Sequence, residues 1–190
     1  MMKYIALASI LLLAGTACKN EEGTPRPRAF PRIEYPERSY NEYDLSGCPF
    51  TFEYPAYGQI EAREDSCWFD IYMKTFEARL HCSYFTIEDR AHFDDLVRDA
   101  FRIATKINER ANFMQEMQVG NNHGVRGLSL SWTGPAASPI HFFLSDTTDH
   151  FFRASLYFDS KVKPDSLAPV VDFIKTDINR MISSFQWKDE

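Results

Sequence analysis

The residues best suited to chemistry fall in one stretch, Asp146-Thr147-Thr148-Asp149-His150, with Arg153 three positions further on. Two carboxylates, an imidazole and a guanidinium this close together could bind a divalent metal or hold a water for hydrolysis. Asp and Thr are also favoured in hairpin turns, where their side chains satisfy backbone groups, so turn chemistry explains Asp146 to Asp149 without any ligand. Arg153 asks for more. It interrupts an otherwise apolar run, where an unpaired charge is costly, so it needs either a carboxylate partner or an accessible groove. Elsewhere, Gly127-Leu128-Ser129-Leu130-Ser131 misses the nucleophile elbow at its fifth position and lies within a strand pattern rather than at a strand-to-helix turn. His81, His92, His123 and His141 show no paired ligand spacing, and there is no phosphate-cradling glycine loop. No catalytic residue, metal or cofactor is assigned.

The polar stretch must be positioned by its flanks. Ile140 to Leu144 and Phe151 to Phe158 read as the two arms of a hairpin, apolar on both faces, which requires a sheet covered by a layer on each side. Phe113 to Val119 and Val125 to Trp132 form another hairpin around Gly120-Asn121-Asn122-His123-Gly124. Cys67 to Met73 and Ala78 to Ile87 form a third, and Phe50 to Tyr54 alternates as a single strand ended by Pro55. Two helices supply the layers. Thr86-Ile87-Glu88-Asp89 resembles a capping box, followed by Phe93, Leu96, Val97, Ala100, Phe101, Ala104 and Ile107 on one stripe. After Pro164-Asp165-Ser166, the residues Leu167, Val170, Val171, Ile174, Ile178, Met181, Ile182 and Phe185 repeat at helical spacing. The expected fold is α+β, a mostly antiparallel sheet of about seven strands between helices.

The front of the chain sets its compartment. Lys3 and the apolar run Tyr4 to Ala14 read as an export signal, too short to remain as a membrane span. Gly15, Thr16 and Ala17 then lead into Cys18 as in a bacterial lipobox, although Gly15 stands where Leu is usual. Residues 1–17 are thus read as a lipoprotein signal and Cys18 as the lipidated residue. Residues 18–47 are a leader rich in Pro, Arg and aromatics, and 48–190 a single globular domain. In the leader, Pro25, Pro27, Pro31 and Pro36 stiffen the chain, while Arg32, Tyr35 and Arg38 belong to an arginine-aromatic set that a plain solvated tether would lack. Two readings stay open: a strap across its own domain, or a docking segment for a partner. The formal charge of −6 and the absence of a basic cluster argue against nucleic acid.

With Cys18 given to lipid, Cys48, Cys67 and Cys82 remain for an oxidising compartment. Cys48 and Cys67 each begin an apparent strand and are paired here as a disulfide between neighbouring strands. Cys82, alternating with Leu80 and Tyr84, is read as a buried small apolar residue.

Several of these stretches resemble a known family. Arg28 to Arg38, Cys48-Pro49-Phe50-Thr51-Phe52-Glu53-Tyr54-Pro55, Cys67-Trp68, and Ser145 to Phe158 are similar to the gliding-motility lipoproteins of the GldD family, and the likeness runs on to Ser184-Phe185-Gln186-Trp187. The resemblance implies a lipid-anchored envelope protein of gliding Gram-negative bacteria, needed for surface motility and tied to type IX secretion. The chain is read as facing the periplasm, from either the outer or the inner membrane, with the cell surface as the alternative. Its partners would be the membrane, through Cys18, and envelope proteins of that machinery. It implies no enzymatic activity, so Arg32, Tyr35, Arg38, Asp146, Asp149, His150 and Arg153 stand as candidate partner-binding residues. The alternative is a receptor for a small ligand or metal, or a hydrolase, built on the Asp146 to Arg153 hairpin. The order of elements also resembles the PsbP-like α/β/α sandwich, which carries no function by itself.

Overall fold

The computed structural model describes residues 33–63, 67–111, 113–159 and 164–188. The signal, Cys18 and Arg32 lie outside these residues. In chain order the strands are β1 (Tyr40–Tyr43), β2 (Phe50–Pro55), β3 (Gln59–Ala62), β4 (Phe69–Met73) and β5 (Ala78–Thr86). Helix α1 (Arg90–Ile107) follows, then β6 (Phe113–Gly120), β7 (Arg126–Thr133), β8 (Ile140–Ser145), β9 (His150–Phe158), α2 (Pro164–Ser184) and β10 (Gln186–Trp187).

Seven strands form one antiparallel sheet in the order β3-β4-β5-β9-β8-β7-β6. Side chains alternate across it. Leu80, Phe142, Leu144, Phe152 and Leu156 share one face, covered by Ile174, Ile178, Met181 and the residues that follow α2. Phe85, Phe143 and Phe151 share the other, where Leu96, Phe93, Val97 and Phe101 of α1 pack on them. The expected α+β fold with helices on both sides of a seven-stranded sheet is therefore present. Close approach within it excludes a side chain at Gly127, whose Cβ would lie 1.8 Å from the carbonyl oxygen of Phe143.

The structure departs from the sequence expectations at four places. Tyr40–Tyr43, assigned to the leader, is strand β1 and pairs antiparallel with β2, so the chain joins the fold upstream of Cys48. Only Tyr43 of β1 is buried, so the strand carries no clear alternation to betray it. Together β1, β2 and β10 make a second, three-stranded sheet in the order β1-β2-β10, over the α2 side of the large one. Its core is a stack of rings: Tyr43 lies 4.8 Å from Phe52 and 4.6 Å from Phe69, and Phe52 lies 5.9 Å from Phe185.

The third departure concerns the disulfide. Cys48 and Cys67 are bonded, with Cα atoms 5.5 Å apart, but they precede β2 and β4, which belong to different sheets. The bond clips the small sheet to the large one instead of joining neighbouring strands. Fourth, α1 is capped by Asp89, whose carboxylate accepts from the His92 N–H at 2.8 Å, and not by Thr86. Thr86 is held in β5 by its pairing with His150, so strand pairing displaces the capping box by one turn.

Candidate functional site

The end of the leader is fastened to α2. Asp177, 2% exposed, accepts hydrogen bonds from the Tyr40 hydroxyl at 2.8 Å, the Tyr57 hydroxyl at 2.5 Å and Arg38 Nε at 3.3 Å. Arg38 also donates to the Phe173 carbonyl at 3.2 Å, and its guanidinium carbon lies 4.1 Å from the centre of the Phe173 ring. Tyr35 packs its ring 4.7 Å from the same phenylalanine. Burial, reinforced by the Asp177 carboxylate, raises the pKa of both Tyr40 and Tyr57, so both remain hydroxyl donors. Tyr35 and Arg38, candidate partner-binding residues from the sequence, thus spend much of their surface on their own domain. Tyr35 nevertheless keeps 42% of its surface exposed.

The polar hairpin is organised as a turn. Asp146 Oδ1 accepts backbone N–H bonds from Thr148, Asp149 and His150, each at 3.0 Å. Burial opposes the charge on Asp146, but these bonds outweigh it and hold the carboxyl below its usual range. Thr147 takes a left-handed φ of 71°, unusual for a β-branched residue and stabilised by its N–H bond to Ser145 Oγ at 2.8 Å. The Asp149 side chain is exposed, and its carbonyl accepts from the Ile87 N–H at 2.8 Å. His150 Nδ1 meets the Tyr84 hydroxyl at 2.8 Å, and its ring stacks on Trp187 at 4.9 Å.

Arg153 does not join them. His150 and Arg153 are three residues apart on one strand, and an odd spacing sends their side chains to opposite faces. His150 points to the α2 side with Phe152, whereas Arg153 points to the α1 side, its guanidinium carbon 4.9 Å from the Phe85 ring centre. The cluster expected over Asp146 to Arg153 is therefore two unrelated places. No hydrogen bond or ion pair reaches the Arg153 guanidinium among the described residues. Of the two settings expected for it, the structure supplies the groove and no carboxylate.

Sequence reading missed a polar row that crosses the large sheet on the α1 side. Register places Asp70 of β4, His81 of β5, Ser155 of β9 and His141 of β8 side by side. His81 Nδ1 lies 2.7 Å from Asp70 Oδ1, and Ser155 Oγ lies 2.8 Å from His141 Nδ1. Each residue breaks the apolar pattern of its own strand by one position, and only the pairing makes a set of them. Also missed was the exposure of β6 (FMQEMQVG), an edge strand on which Phe113, Met114 and Met117 are 64%, 41% and 42% exposed. On the opposite face, Cys82 is buried and in no disulfide, its thiol donating to the Leu80 carbonyl at 3.7 Å, and burial pushes the thiol pKa well up. Ser129, the central serine of the near-miss elbow, is buried within β7.

Among the described residues, no group of three or more His, Cys, Asp or Glu is arranged to hold a metal ion, and no helix is long and apolar enough to cross a membrane. Among the described residues, the strapped α/β/α sandwich leaves the edge strand β6 exposed and a cavity open beside Arg153 on the α1 side. The chain belongs to the family described as gliding motility lipoprotein GldD, whose profile matches residues 20–187. It is accordingly a lipid-anchored protein of the cell envelope, of a family named for gliding motility. Among solved structures, it is similar to the solution structure of cyanobacterial PsbP (CyanoP) from Synechocystis sp. PCC 6803, at 10% identity and a TM-score of 0.45. That match covers 80% of this chain and 94% of the other. Comparison with curated proteins gives no significant match.

Proposed function

We propose that this protein is a non-enzymatic subunit of the gliding apparatus, accessory to type IX secretion. It is anchored by lipid on Cys18, faces the periplasm, and lends the outer edge of β6 to a strand of a protein partner. The observation that carries this reading is the state of that edge. Natural sheets usually guard an edge with charge, proline, a bulge or a covering element. Here eight residues run without a proline, Glu116 is the single charge, and Phe113, Met114 and Met117 face solvent. Free backbone groups would supply affinity to an added strand, and the apolar side chains on both faces would supply selectivity. The family assignment supports the motility role, and the resemblance that led to it supports the tie to secretion. With Tyr35 and Arg38 engaged on α2, the strap reading of the leader is favoured over docking for those two residues.

The test replaces Phe113 and Met117 with glutamate in the native chain. Both side chains are exposed, so abundance and melting temperature should stay unchanged while gliding is lost and a strand partner captured by a photocrosslinker at exposed Gln115 in otherwise wild-type cells is no longer captured. Normal gliding by the folded double variant would remove the β6 reading.

A further inference from the structure

A cavity of about 300 Å³ opens between α1 and the polar row of the large sheet. We propose that it is a binding site for a small organic carboxylate, with the anionic end on Arg153 and the apolar end between α1 and β7. The polar wall is Arg153, His141, His81 and Ser155, joined by Ser83 and Tyr157. None of these carries a negative charge at neutral pH. Opposite them, Ile103 and Ala100 of α1 meet Leu130 of β7 and Phe143 of β8. The volume is at the lower end of what small-molecule sites occupy.

Arg153 selects the charge of the ligand. Arg153 is partly buried, and burial lowers its pKa, so its cation is held at a cost with no carboxylate bound to it among the described residues. Asp99 of α1 exerts a favourable field on it but is itself bonded to Arg102 at 2.9 Å. The guanidinium carbon lies over the Phe85 ring, 4.9 Å from its centre, and no hydrogen-bond acceptor among the described residues occupies the N–H groups, so they stay available to a bidentate acceptor. His141 adds a neutral polar edge to the wall: its Nδ1 is paired with Ser155 Oγ, and burial keeps its ring uncharged beside the cation.

The row also limits how much negative charge the site can take. Burial holds His141 neutral, and Asp70 already engages His81, so among the described residues Arg153 is the one fixed cation in the wall. One cation with neutral donors suits a monoanion better than a phosphate dianion. The apolar half then suits a short hydrocarbon attached to it. This site is independent of β6, so either reading can fail while the other stands.

The experiment titrates the full-length chain, in neutral detergent, with butyrate, butyramide and inorganic phosphate. The readout is the side-chain nitrogen resonances of Arg153 and His141. Butyrate should bind saturably and move both resonances. Arg153→Gln should weaken it at least tenfold, and Ile103→Trp, which fills the cavity and leaves the charge, should abolish it without lowering the melting temperature. The proposal is overturned if butyrate does not saturate, if butyramide binds equally well, or if either variant binds as the wild type does. Phosphate binding as tightly as butyrate would overturn the organic part of the assignment.

Discussion

The two faces of the large sheet are built on opposite terms. On the α2 side the contents are almost wholly apolar: Phe50, Phe52, Phe69, Phe152 and Phe185 are all essentially inaccessible, and their rings interlock with centroids between about 5 and 6 Å apart. A disulfide and a three-stranded sheet close over them. On the α1 side a helix covers Phe143 and Phe151 at one end, but the row beside them holds Asp70, His81, Ser155, His141 and Arg153 around an open volume. The face that could have been filled with leucine was given groups whose burial costs free energy. Stability is concentrated on one side of the sheet, and that concentration lets the other side stay polar and hollow.

Truncation on the α2 side should therefore cost far more than truncation on the α1 side. Phe50→Ala should lower stability by about 3–5 kcal/mol, the usual range for removing a buried phenylalanine, read from urea denaturation. Replacing Cys48 and Cys67 together with alanine should cost about 3 kcal/mol, as expected for opening a loop of this length, and reduction of the wild type should reproduce the loss. Asp177→Ala should cost about 2 kcal/mol by leaving Tyr57, Tyr40 and Arg38 without their acceptor, and should raise proteolysis before β1.

The polar side should respond to pH. Burial lowers the His141 pKa from 6.5 to about 4, with the Arg153 charge lowering it further and a hydrogen bond at Ser138 opposing both. The unfolded chain then binds the proton more readily than the folded one, so stability is lost as pH falls from about 6.5 towards 4. About 1–2 kcal/mol should disappear by pH 5, and His141→Gln should flatten that slope. The smallest effect should be that of Arg153→Gln, within about 0.5 kcal/mol of wild type or slightly stabilising, since it removes a half-buried cation with no ion pair. A loss as large as that of Phe50→Ala would abolish the contrast between the faces.

Much of the architecture was legible because long apolar patterns announce themselves. The apolar runs around Phe142 and Phe152 gave a doubly covered sheet, and the stripes from Phe93 and from Val170 gave the helices that cover it. What escaped was short or depended on pairing. Gln59–Ala62 and Gln186–Trp187 are too brief to show a period, and they become strands only because β4 and β2 offer an edge. The site was harder to see. Proximity in sequence joined Asp146 to Arg153, although the period of two already separates His150 from Arg153. The row that does assemble draws one residue from each of four strands, and nothing local marks Asp70, His81, Ser155 and His141 as neighbours. The turn chemistry of Asp146, by contrast, was fully readable from its residue types.

Strand β1 has a mechanical consequence. A chain held from its N-terminal side transmits any pull through Arg38 and Tyr40 into a strand that runs antiparallel to β2. Tension along β1 would load its rungs to β2 together, in shear, instead of opening them one at a time. Should those rungs yield, the force would next reach Cys48, where the covalent link to Cys67 passes it into the large sheet just ahead of β4. A pull arriving from that side would thus meet the β1–β2 pairing and then the disulfide before it reached the sandwich behind.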